Sequence, residues 1–155
     1  MSLAKQFGIG FFVVLFLVFI GTLWVNVTNT RDFIQRQLAS HAQDTATSLG
    51  LSITPYVGDE ANIPIIETMT NGIFDRGDDQ SIQLSEPDGV IILDKKNPKA
   101  MQSVPEWFID MFVIKAPVAV TNLNTGWQIA GTLQVTSNLG FGYEQLWRNA
   151  VETFW

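Results

Sequence analysis

The sequence predicts an α+β domain that follows a membrane-spanning helix. Three features indicate this: an uncharged apolar run near the N-terminus, four later segments with apolar residues at helical spacing, and four short alternating or β-branched segments paired by turn residues. With 46% hydrophobic residues and a mean hydropathy of +0.17, the 155-residue chain is more apolar than most soluble domains of its length. The excess is concentrated in the N-terminal run.

The run from Phe7 to Val25 has no charged residue, and at about 1.5 Å per residue it nearly spans a hydrocarbon core of roughly 30 Å. A cleaved signal peptide is the alternative, because Lys5 supplies a basic residue before the run. The run exceeds the about 7–15 apolar residues of a signal peptide, and Trp24 to Thr28 lacks the small-residue cleavage pattern. We therefore predict an uncleaved anchor, with residues 1–6 before the bilayer and residues 7–25 inside it.

Charge counting only slightly favours a cytoplasmic N-terminus, because Lys5 on one side is opposed by Arg31 and Arg36 on the other. Trp24 suits the aromatic belt at the far interface. At the other end of the chain, apolar residues recur at helical spacing up to the last residue. They are Tyr143, Leu146, Trp147, Ala150, Val151, Phe154 and Trp155. We expect residues 146–155 to begin a second membrane helix of a truncated chain, so that residues 26–145 form a domain between two spans.

Two helices are predicted directly after the anchor. Thr30 to Leu49 lacks Pro and Gly, and we expect this helix to continue the membrane span and to end at Gly50. Its apolar face comprises Ile34, Leu38, Ala42 (or Thr45) and Leu49. A turn-rich connection of Pro55, Tyr56, Gly58 and Asp59 follows. The second helix has Asn62 as N-cap and Pro64 in its first turn. Its buried stripe comprises Ile65, Ile66, Met69 and Ile73, and it ends at Gly77, Asp78 and Asp79.

The first predicted β-hairpin joins Ser81–Ser85 to Val90–Leu93 through the turn Glu86-Pro87-Asp88-Gly89. A basic loop from Lys95 to Lys99 comes next. A short helix then opens at Val104-Pro105-Glu106, and its apolar residues are Trp107, Phe108, Met111 and Phe112.

The second predicted hairpin joins a strand from Pro117 to Asn122, a turn over Leu123–Gly126 and a strand from Trp127 to Ser137. The last strand alternates cleanly, and its predicted buried face comprises Trp127, Ile129, Gly131, Leu133 and Val135. Four strands leave exposed sheet edges, so we expect a homodimer to which the first helix contributes.

The composition excludes several classes of function. A formal net charge of −6 without a basic patch disfavours a nucleic-acid partner. The absence of Cys removes disulfides, thiolate nucleophiles and Cys-rich metal sites. His41 and Asp44 could form a base and its orienting acid, but no nucleophile accompanies them. Three acids around Gly77, namely Asp75, Asp78 and Asp79, resemble part of a calcium loop but lack its spacing. We predict no catalytic residue and no metal site.

A ligand sensor and a protein-binding module remain as classes of function. Trp127 directly follows Gly126 at a predicted hairpin tip, where a tryptophan could anchor a protein partner. Its phase in the alternating strand instead matches the buried face. From the pattern alone, the core and the binding interpretations are equally supported.

Six segments, taken together in their order and spacing, resemble the N-terminal region of the LapD family of bacterial cyclic di-GMP receptors. They are Met1-Ser2-Leu3-Ala4-Lys5-Gln6, Ser40-His41-Ala42-Gln43-Asp44-Thr45-Ala46-Thr47, Ser52-Ile53-Thr54-Pro55, Gly72-Ile73-Phe74-Asp75, Val104-Pro105-Glu106-Trp107-Phe108 and Gly126-Trp127. The resemblance covers essentially the whole chain.

The resemblance implies a PAS-like, domain-swapped periplasmic dimer in the inner membrane, with a cytoplasmic N-terminus. HAMP, GGDEF-like and EAL-like domains follow in that family, the last two usually degenerate as enzymes. Cyclic di-GMP bound there makes the periplasmic domain sequester LapG, a calcium-dependent cysteine protease, so that a surface adhesin is retained and the biofilm persists. No cofactor is expected in this segment itself.

The same resemblance assigns roles to particular residues. Trp127, with Gly126, aligns with the tryptophan that contacts the protease, which favours exposure. Asn124, Thr125 and Gln128 would form a polar rim around it. The signal-transmitting residues of the two helices would be Ile34, Leu38, His41, Leu146 and Trp147.

The alternative is a periplasmic small-molecule sensor of an active diguanylate cyclase or phosphodiesterase. It would need a pocket lined by groups such as Trp107, Phe112 and Tyr56. A plain structural anchor is the third and weakest interpretation.

Overall fold

A computed structural model describes residues 3–77, 79–97 and 103–154 of the chain. Its helices and strands follow one another in the order α1 (Leu3–Ile53), α2 (Ile63–Phe74), β1 (Asp79–Ser85), β2 (Ile91–Lys96), α3 (Glu106–Met111), β3 (Val118–Thr125), β4 (Gln128–Ser137) and α4 (Leu139–Phe154). Two single 3₁₀ turns, Thr54–Tyr56 and Glu60–Asn62, connect α1 to α2. The predicted α+β class is confirmed.

Helix α1 is unbroken over 51 residues and contains both the apolar run and the first helix of the domain. It contains a stretch long and apolar enough to cross a membrane. The sequence predicts that this helix ends at Gly50, but in the structure it continues to Ile53. A Cβ atom at Gly50 would lie 3.1 Å from Leu123 Cδ2 and 3.3 Å from Thr121 Cγ2. Gly50 therefore permits close packing of α1 on β3 and does not terminate the helix.

The four strands form one antiparallel sheet in the order β2-β1-β4-β3. Both predicted hairpins are present, and β1 and β4 join them. Helices α1 and α2 cover one face of the sheet. The core between helices and sheet comprises Ala42, Ala46, Leu49, Ile53, Ile66, Ile82, Leu84, Ala119, Leu123, Leu133 and Val135. On α1 it is Ala42, and not the alternative Thr45, that belongs to this core.

The opposite face of the sheet is largely polar. It carries Thr132, Gln134 and Thr136 of β4, which alternate with the buried residues of that strand. On the edge strand β3, Val118 pairs with Thr136 and Val120 pairs with Gln134, and both valines are exposed. The exposed face of the sheet is therefore polar except along the edge strand β3, where these two valines make it apolar.

A second core lies on the membrane side of the sheet and joins α1, α3 and α4. Its buried members are Val27, Ile34, Leu38, Val104, Phe108, Phe112, Ile114, Tyr143 and Leu146. Helix α3 begins after Pro105, as predicted, and buries Phe108, whereas Trp107 and Met111 are exposed.

Helix α4 runs back along α1 towards the membrane. A Cβ atom at Gly142 would lie 2.9 Å from Leu38 Cδ1 and 3.3 Å from Ile34 Cγ2, so the two helices approach closely at this glycine. At the end of β4, the buried Ser137 hydroxyl donates a hydrogen bond of 2.7 Å to the Leu38 carbonyl. Leu38 is thus held by the last residue of the sheet and by the first turns of α4. Of the predicted C-terminal stripe, Trp155 lies outside the described residues.

The prediction for α2 is partly wrong. Ile65 is exposed, and Thr70 is buried beside Ile66 instead. Thr70 tolerates burial because its hydroxyl donates a hydrogen bond of 2.8 Å to the Ile66 carbonyl. Asn62 occupies the N-cap position without a side-chain capping bond. The carboxylate of Asp59 instead accepts a hydrogen bond from the Ala61 amide, at 3.0 Å, in the preceding turn.

Two predicted boundaries also shift. Helix α2 ends at Phe74, and Asp79 is the first residue of β1. Strand β2 continues through Lys95 and Lys96, where a loop is predicted, because these residues pair with Ile82 and Ser81 of β1. Lys95 Nζ also lies 3.0 Å from Glu67 Oε1 of α2. Asp78, and Lys99 within the predicted loop, lie outside the described residues.

We expect Gly131→Ala to destabilise the protein by about 1–3 kcal/mol, as overpacking does. A Cβ atom at Gly131 would lie 2.9 Å from the backbone oxygen of Ser85, which cannot rotate away. Gly72→Ala is the matched control, because its Cβ would meet nothing within 4 Å and should gain up to about 1 kcal/mol of helix propensity. Urea unfolding of the detergent-solubilised chain, followed by circular dichroism, measures both; equal stabilities would contradict the close approach of β1 and β4.

We expect Tyr143→Phe to lower the free energy of unfolding by about 1–3 kcal/mol, because it leaves a buried amide without its hydrogen-bond acceptor. The Ile114 N–H donates a hydrogen bond of 2.8 Å to the Tyr143 hydroxyl, and both residues are buried. Tyr56→Phe, at a half-buried position, serves as the control and should change stability by less than about 0.5 kcal/mol. The same unfolding measurement compares the two variants. Similar losses from both would mean that the Tyr143 hydroxyl contributes nothing specific.

Candidate partner-binding surface

The β3–β4 hairpin closes through a turn of only two residues, Gly126 and Trp127, because Thr125 pairs with Gln128. The predicted turn over Leu123–Gly126 is therefore misplaced, since Leu123 to Thr125 belong to β3. Gly126 has a φ of +69°, and no described non-glycine residue has a positive φ. This is the sign pattern of a type II′ turn, which favours glycine first and leaves the second position to an ordinary residue. The sequence Gly126-Trp127 thus holds an indole at the tip.

The hairpin projects beyond the rest of the sheet. Strand β1 ends at Ser85, which pairs with Thr132, whereas β3 and β4 continue as a two-stranded ribbon to the turn. The register shifts from Leu123 opposite Gly131 to Asn124 opposite Ile129, so Ala130 is an extra residue, a β-bulge.

Because of this bulge, the predicted buried face of β4 is wrong for its first residues. Gly131, Leu133 and Val135 are buried as predicted, but Ile129 is 52% exposed and Trp127 is 104% exposed. The extra residue interrupts the alternation, and beyond Ser85 there is no neighbouring β1 backbone to bury these side chains against. In the sequence, Gly131 was the residue that could have indicated this bulge, because a glycine inside a strand often marks a bulge or a close backbone approach.

The hairpin tip lies at the end of the domain far from the membrane. Helix α1 meets the end of β4 at Leu38 and meets β3 at Gly50. These positions are 12 residues apart, about 18 Å along the helix, with Gly50 farther from the membrane span. Strand β4 therefore runs towards the membrane and its turn points away. The β1–β2 turn, which precedes the exposed Ile91, lies at the same end.

Around Trp127, the predicted rim residues Asn124, Thr125 and Gln128 are all exposed. We call residues 124–129 the distal tip. It combines a fully exposed indole and the half-exposed Ile129 with three polar side chains, an arrangement typical of a hot spot with a polar rim.

The predicted signal-transmitting residues lie far from the distal tip. Ile34, Leu38 and Leu146 are buried in the membrane-side core, and Trp147 packs against it. His41 lines a small cavity together with Ile34 and Leu38; its ring is half exposed, and its Nδ1 is 3.9 Å from Oδ1 of the buried Asp79. The structure thus brings these five residues to one region of the domain, and it places the Asp79 carboxylate of β1 near His41.

The residues of the other candidate sites lie in different surroundings, and Asp78 is outside the described residues. Among the described residues, no three metal-ligating side chains cluster, and Asp75 is exposed whereas Asp79 is buried in β1. Trp107 and Phe112 line an apolar groove on the membrane side, but Tyr56 packs against the sheet core. Tyr56 therefore does not line one pocket together with Trp107 and Phe112.

Two comparisons with known proteins found similar proteins. The family model of the LapD/MoxY periplasmic domain matches residues 23–147. A solved structure of the Pseudomonas fluorescence LapD periplasmic domain is 30% identical in sequence, with a TM-score of 0.45; the match covers 82% of this chain and 98% of that chain. No curated protein sequence matches the chain significantly. The family match spans most of the chain, and the protein therefore belongs to the LapD/MoxY periplasmic domain family.

Proposed function

We propose that this chain is the periplasmic output domain of an inner-membrane cyclic di-GMP receptor, and that it binds and sequesters a LapG-type cysteine protease. Through this binding it would control adhesin release and biofilm formation. The observation that supports the proposal most directly is Trp127, which is fully exposed at the distal tip. Cyclic di-GMP would bind to cytoplasmic domains outside this chain, and calcium would belong to the protease.

The geometry of the distal tip suits protein recognition. An indole buries up to about 250 Å² on binding and has only two side-chain torsions to immobilise. The two-residue turn and the paired residues Thr125 and Gln128 hold the backbone below it, which lowers the entropy lost on association. Trp127 would enter a pocket of the protease, and the polar rim would exclude water around it.

We further propose that the domain acts as a homodimer, with exchange of elements between protomers. The edge strand β3 carries the exposed Val118 and Val120, an apolar edge that a second chain could cover. Helix α1 reaches from the bilayer to the far end of the sheet, so it is the element best placed to connect two protomers with the membrane.

Signalling would then be a shift between two arrangements of this dimer, one that offers the distal tip and one that occludes it. Helices α1 and α4 meet at Gly142, next to Ile34 and Leu38, so a relative movement of the two membrane helices acts directly on the membrane-side core. The hydrogen bond from Ser137 to the Leu38 carbonyl connects that movement to β4, whose other end carries Trp127.

We expect Trp127→Ala to reduce the affinity for a LapG-type protease by at least about 2 kcal/mol, as loss of a hot-spot residue does. This corresponds to roughly a 30-fold rise in Kd. The fold should be unchanged, because the side chain contributes nothing to the core. Calorimetric titration of the chain in nanodiscs measures the affinity, and circular dichroism verifies the fold.

Trp107→Ala is the matched control, since it removes another exposed indole at the opposite end of the domain and should leave protease binding unchanged. A loss of about 3–5 kcal/mol of stability in Trp127→Ala would instead indicate a core tryptophan. If the folded wild-type protein does not bind the protease, even when its dimerisation is enforced, the proposed sequestering function is wrong.

A further inference from the structure

An apolar groove lies between α1, α3 and α4 at the membrane end of the domain. It encloses about 510 Å³, and all fourteen of its described lining residues are apolar or aromatic. Its floor is the segment of α1 from Phe16 to Val27, its upper wall is α3, and its far wall is the last turns of α4. It is separate from the distal tip, and the proposed protease binding does not involve it.

Aromatic rings surround the upper part of this groove. The centroids of Trp24 and Phe112 are 5.5 Å apart, and those of Trp107 and Trp147 are 5.9 Å apart. Phe108 packs edge-on against Trp147, with centroids 5.0 Å apart. Three tryptophans from three different helices thus gather at one level, at the end of the apolar run. Tryptophan is enriched at this level in membrane proteins, because its ring is apolar and its N–H is polar.

The groove continues below this level into the bilayer. Phe16 precedes Trp24 by eight residues of unbroken helix, which places it about 12 Å deeper. The floor of the groove is therefore part of the membrane-spanning segment, and its other faces contact lipid chains. A hydrocarbon chain beside α1 has continuous access to the groove from the side.

Helix α3 presents two different sides at the top of the groove. Trp107 and Met111 line the groove and are 58% and 51% exposed, whereas Glu106 and Asp110 are exposed outside its lining. Leaving these apolar side chains in water would cost about 25 cal/mol of free energy for each Å² of exposed apolar surface. The two carboxylates disfavour an anionic head group nearby, so recognition would depend on the hydrocarbon chain.

We propose that this groove binds an acyl chain of a zwitterionic membrane phospholipid and that α3 is an interfacial helix resting on the outer surface of the bilayer. The lipid chain completes the membrane-side core, which the protein alone leaves open on the side of Trp107 and Met111. Lipid contact at α3 would also fix the height of the domain above the membrane.

Two single-tryptophan proteins test the depth of α3. In one the full chain keeps only Trp107, and in the other only Trp127; the remaining tryptophans are replaced by Phe. Both are reconstituted in dioleoylphosphatidylcholine vesicles, with or without bromine on the acyl chains. We expect brominated lipid to reduce the Trp107 emission roughly twofold or more and to leave the Trp127 emission nearly unchanged, because of these two tryptophans only Trp107 lies at the bilayer.

A second measurement tests the groove itself in the otherwise unaltered chain. A phosphatidylcholine with a diazirine on its acyl chain should label α3 and the end of α4 on illumination. Ala150→Phe, which places a ring in the groove, should lower labelling of α3 several-fold. Ala61→Phe is the matched control, because Ala61 is exposed and lies outside the residues lining the groove, and its labelling should equal that of the wild type.

Three results would overturn the proposal. One is quenching of Trp107 no stronger than that of Trp127. The second is labelling of α3 that Ala150→Phe leaves unchanged. The third is labelling of α1 and the end of α4 without labelling of α3 in the wild-type chain, which would mean that lipid does not occupy the upper groove.

Discussion

The packing of α1 on the sheet is the interaction on which the rest of the structure depends. One helix crosses the membrane and also backs the sheet, so it must approach the strands closely without a bend. Ala42, Ala46 and Gly50 make this possible because they present almost no side chain to β3 and β4. Larger residues at these positions would move the helix away and open the core. The position of the whole domain relative to the membrane follows from this contact.

A rigid connection between the membrane and the distal tip follows from the same packing. Leu38 is buried in the membrane-side core, contacts α4 at Gly142 and accepts the hydrogen bond of Ser137 at the end of β4. The sheet core and the membrane-side core therefore meet at one turn of α1. A closely packed interior transmits displacement with little compression. Movement of α4 against α1 thus has a direct structural path to β4 and its turn.

Much of the fold was predictable from the sequence, because the periodicity of apolar residues reports which side of a helix or strand is buried. It correctly gave the continuous first helix, both hairpins and the short helix after Pro105. It failed where a residue's role depends on a distant neighbour. Gly50 looks like a helix end until β3 is placed against it, and the phase of Trp127 looks buried until the bulge at Ala130 and the early end of β1 are known. The exposure of Trp127 followed from the family resemblance and not from the pattern.

The two ends of the domain expose different amounts of aromatic surface, and they therefore differ in how they can be in contact with water. At the distal tip, Trp127 and Ile129 are the only two large exposed apolar side chains, among three polar ones, and such small numbers are common on soluble surfaces. Such a side chain can remain in contact with water without a partner. The groove beside Trp107 joins fourteen apolar residues into one continuous surface. Its floor belongs to the apolar run of α1, so the lower part of the groove lies at the bilayer, whereas the distal tip lies at the other end of the domain.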